Sequence, residues 1–489
     1  MLFRSSTHTQ PQETISMSNL NFTKETFCTM PWSSILILPS GDFKICCFTG
    51  QTLPNGGDSH GIAFTEDGET MNVLTHSIKD AMNSVYHKEI RAAQARGERH
   101  IACKVCWDRD DAATRQGVRS TSLRVVRTYD QNVEGAARYN PEKNRVGGQP
   151  MIGSAIPENA SSWLIDPSAA TDGTMKDIMP VSLDIRFSNL CNAKCIMCEP
   201  LYSTLWYEDH ELLTGRSDFT TGPNKYNVIK TPKVTGGFKF SSDMPEWRDD
   251  PRWWKQLDEL APHLQHIYIT GGEPFIQPMH DKFIEKLVQG GYAKNIVVEY
   301  DTNLSVLNPK ILNMLGQFKD IIIRVSTDDV GKQYELIRYP LKFDNVMKNL
   351  AMLKDYGLDK KIDTITTCVG IYSMYAPMRM WEHFAPLGYD KYFIRILRSP
   401  QAVDMAYLPR KIKEKVIKDY DGSNSLPHFH KTHIAGYLKN NFDLVDDEKA
   451  RAHLATFARY MENLDRIRGT DWKASFPEIV KLMQDFYAA

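Results

Sequence analysis

Beyond Pro180 the chain alternates short apolar, β-rich runs with segments of helical length. The apolar runs begin at 181, 266, 295, 320, 363 and 391 and read VSLDIRF, HIYIT, NIVVEY, DIIIRVS, DTITTCVGIY and KYFIRIL. Helices are predicted between them at 250–264, 278–289, 309–318, 343–356 and 374–384. Strands that alternate with crossover helices form parallel sheets. The pattern therefore predicts six parallel strands, open or rolled into a partial barrel, over 179–400.

The rest of the chain follows other patterns. Residues 1–25 are polar and lack periodicity, which predicts a disordered tail. Residues 26–127 combine clustered cysteines with a predicted hairpin and helix. Residues 128–178 are rich in Asn, Gly, Pro, Ser and Ala, which predicts a linker or insertion, and 401–489 are predicted helical. The fold class is therefore α/β: a (βα)6 parallel arrangement, open or rolled into a partial barrel, with an N-terminal cysteine-rich α+β module and a C-terminal helical region.

Composition narrows the class of protein. The chain has 489 residues, 42% of them hydrophobic, and its 59 Lys and Arg against 60 Asp and Glu give a net charge of −1. This balance argues against a globally basic nucleic-acid-binding surface. The longest apolar runs are much shorter than the roughly 20 residues of a membrane-spanning helix, and the first 25 residues lack the apolar stretch of a secretory signal. The protein is predicted to be cytoplasmic, without a membrane or nucleic-acid partner.

Eight of the nine cysteines lie in the first 200 residues, and Cys368 stands alone. Because the cytosol keeps thiols reduced, grouped cysteines in such a chain are interpreted as metal ligands or reactive groups rather than as disulfides. The densest group is CNAKCIMC, which contains Cys191, Cys195 and Cys198.

Three thiolates this close together can bind an iron–sulfur cluster. Such clusters normally take four cysteines, so one iron of a four-iron cluster would lack a protein ligand and could bind another molecule. The alternatives are a zinc knuckle and three unrelated cysteines. Zinc would need a fourth His or Cys close by, and the spacing offers none.

Polar groups follow the ends of successive predicted strands. TGGEP at 270–274 follows the second strand, Asp301-Thr302-Asn303 the third, and the run 326–329 the fourth. The carboxyl ends of the strands form the active site of a parallel barrel. Two glycines let the backbone approach a ligand closely, and a carboxylate beside them can accept hydrogen bonds from an ammonium group.

The CNAKCIMC spacing followed by TGGEP resembles the radical S-adenosylmethionine (radical SAM) superfamily. The resemblance implies a 4Fe-4S cluster held by the three cysteines, with the amino and carboxylate groups of SAM on the fourth iron. The reduced cluster would cleave SAM to a 5′-deoxyadenosyl radical, with a flavodoxin- or ferredoxin-type protein as the reductant. Met197 departs from the aromatic residue common before the last cysteine.

The same resemblance implies which residues bind SAM. Glu273 and the neighbouring backbone would hold the amino group, and two residues at later strand ends would bind the ribose or the carboxylate. Each of the latter could instead be a helix cap or turn residue. The implied SAM-binding residues are Gly271, Gly272, Glu273, Asn303 and Ser326.

The N-terminal cysteines lie in the segments FCTMPW, PSGDFKICC and ACKVCW. These segments resemble an auxiliary-cluster module of the SPASM or twitch type, placed before the radical SAM domain rather than after it. In the SPASM pattern a ligand follows a turn glycine by five residues, so Gly41 favours Cys46 over Cys47. A zinc site is the alternative, since both metals accept four cysteines. The implied ligands are Cys28, Cys46, Cys103 and Cys106.

Together the resemblances predict an enzyme that abstracts a hydrogen atom from its substrate. A peptide or protein substrate is favoured because SPASM-type relatives often modify peptides. The alternatives are a sugar, nucleotide or other small metabolite as substrate, and a non-catalytic iron–sulfur or zinc scaffold. Cys368 is interpreted either as a buried inert thiol or as a hydrogen-atom donor to a substrate radical.

Overall fold

The computed structural model describes residues 26, 28, 30–49, 61–111, 172–175, 178–200, 202–214, 247–423 and 426–488. The predicted tail over 1–25 and almost all of the predicted linker over 128–178 lie outside these residues.

One eight-stranded sheet organises the described residues. Its strand order is β2-β1-β3-β4-β5-β6-β7-β8, and every neighbouring pair is parallel except β1 with β2. The six strands predicted from the alternation are β3 to β8, which confirms the predicted class. The strands are β1 (Ser34–Ile37), β2 (Phe43–Lys44), β3 (Ser182–Ile185), β4 (His266–Ile269), β5 (Val297–Thr302), β6 (Asp320–Ser326), β7 (Ile362–Val369) and β8 (Tyr392–Ile396).

Helices cross between the parallel strands and close the chain. Those predicted after β4, β5, β6 and β7 are present as α7, α8, α10 and α11, and the short α9 was not predicted. The α-helices are α1 (Met30–Ser33), α2 (Ile78–Met82), α3 (Val85–Ala95), α4 (Lys104–Asp111), α5 (Trp206–Thr214), α6 (Pro251–Leu260), α7 (Pro278–Gln289), α8 (Pro309–Leu315), α9 (Gly331–Ile337), α10 (Phe343–Asp355), α11 (Ala376–Phe384), α12 (Arg410–Gly422), α13 (His428–Asn440), α14 (Asp447–Arg468), α15 (Trp472–Ser475) and α16 (Pro477–Ala488).

The predicted N-terminal hairpin extends the sheet of the barrel. β1 and β2 are joined by a turn in which Gly41 has a φ of +85°, a conformation that favours glycine. β1 also pairs in parallel with β3, with Ile35 opposite Leu183 and Ile37 opposite Ile185. The N-terminal segment and the barrel therefore share one hydrogen-bonded sheet.

The two faces of this sheet differ in polarity. One row across neighbouring strands is apolar and almost fully buried, and it consists of Ile35, Leu183, Ile267, Val298 and Ile321. The adjacent row, which side-chain alternation places on the other face, consists of Leu36, Asp184, Tyr268, Glu299 and Ile322. A parallel sheet covered on both faces normally has apolar strands, so the polar face indicates a separate, functional interior.

The sheet curves around its polar face. Arg395 on β8 interacts electrostatically with Asp301 on β5, with Tyr268 on β4 and with Cys47 just after β2. These residues belong to strands that are well separated in the sheet order. Electrostatic interaction between such distant strands requires the polar face to be concave, which fits a partial barrel. We call this face the lumen.

The C-terminal region is helical, as predicted, and its longest helix packs onto the barrel. Along α14 the buried positions Leu454, Phe457, Met461 and Leu464 recur at helical spacing. At its end the Arg468 guanidinium lies 2.7 Å from the buried Asp209 carboxylate on α5. No helix among the described residues is both long and apolar enough to cross a membrane.

The first prediction concerns the free energy of unfolding. Asp209 is fully buried and pairs with both Arg468 and Lys194, the latter at 2.6 Å. Replacing Arg468 by Leu leaves this carboxylate with one partner, and we expect a loss of about 3 kcal/mol or more, measured by denaturant unfolding.

The matched control is Lys473→Leu, which breaks the pair of Lys473 with Glu462, whose side chains are 56% and 53% exposed. Exposed pairs contribute at most about 1 kcal/mol. Equal losses from the two substitutions would contradict the predicted role of the buried pair.

Candidate active site

The loop that follows β3 contains Cys191, Cys195 and Cys198, and neighbouring segments hold its backbone. The Ser203 hydroxyl donates to the Ala193 carbonyl at 2.6 Å, and the Trp206 indole donates to the Cys195 carbonyl at 2.9 Å. Backbone bonds also join this loop to the segment that follows α9, with Lys194 N donating to Tyr339 O at 2.7 Å. The loop is therefore fixed from two sides.

A hydroxyl of the C-terminal region also contacts this loop. The Tyr460 hydroxyl on α14 donates to the Ile196 carbonyl at 2.8 Å. Arg468 on the same helix pairs with Asp209, which in turn binds Lys194 of the loop. The helix α14 therefore holds the cysteine loop directly through Tyr460 and indirectly through Asp209.

The three thiols converge in a desolvated pocket. Burial, followed by repulsion from Cys195 and Glu273, raises the pKa of Cys191 to about 12. Burial and then the other two cysteines raise the pKa of Cys198 well above its usual value. This electrostatic repulsion places the Cys195 thiol near those of Cys191 and Cys198, so the three residues fit a polynuclear iron–sulfur group, whose positive irons would stabilise the thiolates. Among the described residues, no three His, Cys, Asp or Glu side chains are arranged to hold a single metal ion.

The turn after β4 packs against the cysteine loop. The Glu273 amide donates to the Leu190 carbonyl at 2.9 Å, immediately before Cys191. Gly272 has a φ of +57°, and a Cβ there would lie 2.1 Å from the Leu190 carbonyl oxygen. Only glycine permits this approach. The glycine-rich turn therefore places the two sequence motifs against each other.

The Glu273 carboxylate is buried and connects β4 to β5. It accepts a hydrogen bond from the Thr302 hydroxyl at 2.6 Å and another from the Asn303 amide at 2.7 Å. Burial nevertheless raises the pKa of Glu273 to about 7. A carboxylate in this environment would be stabilised by a cation such as an ammonium group.

The other two residues predicted to bind SAM lie at neighbouring strand ends. The Asn303 side-chain amide donates to Asn192 Oδ1 in the cysteine loop at 3.0 Å. The next residue, Leu304, has a φ of +52°, a strained conformation for a branched side chain. Ser326 ends β6, two residues after Arg324, and so lies on the lumen face. Their contacts with SAM stay a prediction.

A buried ion pair near Cys195 has no sequence signature. The Arg338 guanidinium lies 2.7 Å from the Asp328 carboxylate and interacts electrostatically with Cys195. Asp328 also accepts the Cys368 amide at 2.6 Å. The sequence places Asp328 in the polar run 326–329. It gives no signal for Arg338, which follows α9 and belongs to no motif. Only the fold brings Arg338 beside the cysteines.

The N-terminal cysteines meet around a small second core. Cys28, Cys46 and Cys103 all pack on an apolar cluster that includes Tyr86 and Ile90. Cys106, also buried, lies on α4, three residues after Cys103, which ends the short 3-10 turn before that helix. Three of the four predicted ligands therefore border one apolar cluster, and the joint binding of a metal group by all four stays a prediction.

Cys47 also borders this core but has a second environment. It packs on Leu36, Leu38 and Ile62 and interacts with Arg186 and Asp184 of the lumen. Burial, followed by Cys46, raises the pKa of Cys47 to about 12. The choice between Cys46 and Cys47 as ligand stays a prediction.

Two family models match the segments that contain these sites. Residues 185–374 match the radical SAM superfamily, and residues 28–107 match SPASM, an iron–sulfur cluster-binding domain. The chain therefore contains a radical SAM domain and, before it, a SPASM domain. This confirms the predicted family of SAM-dependent iron–sulfur enzymes. It also confirms the predicted cofactors, namely SAM, a 4Fe-4S cluster and an auxiliary iron–sulfur cluster in preference to zinc.

Solved structures add weaker likenesses, and no curated protein matches the chain. Polyhistidine-tagged anSMEcpe with bound AdoMet is 18% identical with a TM-score of 0.31, over 50% of this chain and 59% of that one. Streptococcus suis SuiB bound to precursor peptide SuiA is 11% identical with a TM-score of 0.33, over 72% of this chain and 65% of that one. The chain thus matches 59% to 65% of the length of these structures.

The second prediction tests the contact between the two motifs. We expect Gly272→Ala to push the turn away from Leu190 and to weaken SAM binding by about tenfold or more, measured by calorimetry on anaerobically reconstituted protein.

The control is Gly291→Ala, because Gly291 has a similar φ of +72° but nothing within 4 Å of its added Cβ. This variant should carry only the backbone strain of about 1–2 kcal/mol and bind SAM like the parent. Unchanged SAM binding by Gly272→Ala would show that the close approach is dispensable.

Proposed function

We propose that this protein reductively cleaves SAM and abstracts a hydrogen atom from a substrate held in the lumen. The observation that carries the proposal is the contact of the Glu273 turn with Leu190, since it joins the cysteine loop to the ends of β4 and β5. The family match supports the same conclusion. Cys191, Cys195 and Cys198 would hold a 4Fe-4S cluster, which would supply the electron for reductive cleavage of SAM to methionine and a 5′-deoxyadenosyl radical.

The chain's own residues have distinct proposed roles. Cys191, Cys195 and Cys198 provide three thiolates, and Arg338 offsets part of their negative charge. Glu273 accepts hydrogen bonds from the SAM ammonium, while Thr302 and the Asn303 amide hold its carboxylate in place. Burial of the site excludes water, which protects a reactive intermediate from side reactions. Gly271, Gly272, Asn303 and Ser326 complete the proposed SAM site, and a flavodoxin- or ferredoxin-type protein supplies the electron.

The SPASM domain is proposed to bind the auxiliary cluster through Cys28, Cys46, Cys103 and Cys106. Since β1 belongs to the same sheet as β3, this second site has a fixed position relative to the lumen. The auxiliary cluster would either accept the electron left on an oxidised product or anchor the substrate.

A peptide or protein is the proposed substrate class. Support comes from the SPASM domain, which occurs in relatives that often modify peptides. Solved structures of anSMEcpe and SuiB contain peptides, but TM-scores of 0.32 and 0.33 give these likenesses no weight for this chain. A small metabolite is the alternative, and a screen of both classes for stimulated 5′-deoxyadenosine formation would distinguish them.

The third prediction separates the two cysteine sites by their products. We expect Cys195→Ala to abolish reductive SAM cleavage, because it removes a proposed ligand of the radical cluster. Cys103→Ala should keep substrate-independent cleavage and lose substrate turnover. The measurement is 5′-deoxyadenosine released after dithionite reduction. Equal 5′-deoxyadenosine from Cys195→Ala and the parent would falsify the assignment.

The fourth prediction concerns metal content. Anaerobically reconstituted parent protein should contain about eight irons per chain, as expected for two four-iron clusters. The double variant Cys103→Ser, Cys106→Ser should contain about four. Cys47→Ser, the matched control, should keep the parent value because Cys46 is the proposed ligand. Zinc at the N-terminal site, or loss of iron from the Cys47 variant, would contradict this ligand set.

A further inference from the structure

The described part of the lumen contains three arginines, and its carboxylates form ion pairs with two of them. Arg324 pairs with Glu299 and also lies 3.4 Å from the Asp301 carboxylate. Arg186 lies 3.5 Å from the Asp184 carboxylate. Arg395 makes no ion pair with any described residue. One guanidinium of the lumen, that of Arg395, is therefore left without an ion-pair partner among the described residues.

Arg395 is accessible although it lies inside the curved sheet. On β8 it is opposite Cys368 of β7, and its guanidinium lies 5.6 Å from the centre of the Phe393 ring. Its electrostatic neighbours lie on β4, on β5 and after β2, yet its side chain is exposed. Because strands of the sheet surround Arg395 and its side chain is nevertheless exposed, Arg395 borders solvent within the lumen.

Arg395 is linked to the proposed radical site through Cys368, which lies opposite it on β7. Its neighbour Cys368 donates its amide to Asp328, which pairs with Arg338, the cation beside Cys195. Cys368 itself interacts electrostatically with Cys195. A molecule bound to Arg395 would thus lie on the lumen wall that continues from the cysteine pocket.

Other polar atoms of the lumen also lack partners. Asp184 is only 4% exposed, and its Oδ1 accepts no hydrogen bond. The buried Thr366 hydroxyl, two residues before Cys368 on the same face, is likewise without a hydrogen-bond partner. Buried polar atoms are normally satisfied, so these atoms indicate that a polar ligand completes the lumen.

We propose that Arg395 binds a carboxylate of the substrate and so orients it against the radical site. Guanidinium groups bind carboxylates through two parallel hydrogen bonds, which fix direction as well as position. This inference rests on the proposed function and names its substrate class more closely: a carboxylate-bearing molecule, through an acidic side chain or a terminal carboxylate.

Cys368 provides a built-in reporter for this site when it is assayed at alkaline pH, because burial raises the pKa of its thiol to about 12 and only the thiolate is alkylated. Iodoacetate carries a carboxylate and iodoacetamide does not, but both alkylate thiols. The measured quantity is the ratio of the alkylation rate with iodoacetate to the alkylation rate with iodoacetamide. In the cluster-loaded parent, this ratio for Cys368 should exceed the ratio for free glutathione by about tenfold or more, because Arg395 concentrates the anion. Mass spectrometry of the Cys368 peptide measures both rates.

The test variant is Arg395→Gln, which should lower that ratio to the glutathione value. The matched control is Arg398→Gln, since Arg398 is also exposed but lies over the Tyr437 ring at 5.7 Å, and it should keep the parent ratio. Equal ratios for the parent and glutathione, or a Cys368 that neither reagent reaches, would overturn the proposal.

Competitors distinguish the source of the carboxylate. N-acetylglutamate α-amide has only a side-chain carboxylate, N-acetylglutamine has only a terminal one, and N-acetylglutamine amide has neither. Protection of Cys368 from iodoacetate by either acid but not by the amide supports the site, and the better protector indicates the source. Protection by neither acid contradicts it. Because alkylation needs no turnover, absent 5′-deoxyadenosine formation by the parent would count against the proposed function alone.

Discussion

The site depends on one buried carboxylate and the backbone that carries it. The Glu273 amide binds the carbonyl before the first cysteine of the loop, and its side chain binds Thr302 and the Asn303 amide. Three strand ends are thereby held together without any cofactor contact. A buried carboxylate is stable only when its oxygens are hydrogen-bonded, so these bonds both stabilise Glu273 and fix the position of the cysteine loop.

The same balance between burial and pairing extends through the lumen. The Glu299 carboxylate pairs with Arg324 and lies 3.0 Å from His266 Nε2. The Tyr268 hydroxyl donates a hydrogen bond to Asp301. Side-chain alternation places apolar residues against the helices and these polar groups on the concave side. The apolar face of the sheet thus packs against the helices and stabilises the fold, whereas the polar face carries the side chains of the candidate site.

The sequence predicted features that depend on local pattern. Alternating apolar runs gave β3 to β8, because each strand and helix carries its own periodicity, and the cysteine spacing identified the family. The pairing of β1 with β3 was not predictable, since about 140 intervening residues leave no local signal for it. Arg338 was missed for the same reason. Asn303 and Ser326 were found by position at strand ends, and their predicted roles still await a ligand-bound test.

The parallel pairing of β1 with β3 has a consequence for how the chain can be divided. A SPASM domain connected by a flexible tether could be removed or exchanged as a unit. Here, removal of the first hundred residues would strip β3 of its neighbour and leave its amide and carbonyl groups open to pairing with other chains. The two cysteine sites of this protein are therefore linked in folding, and neither half is a module that can be transplanted on its own.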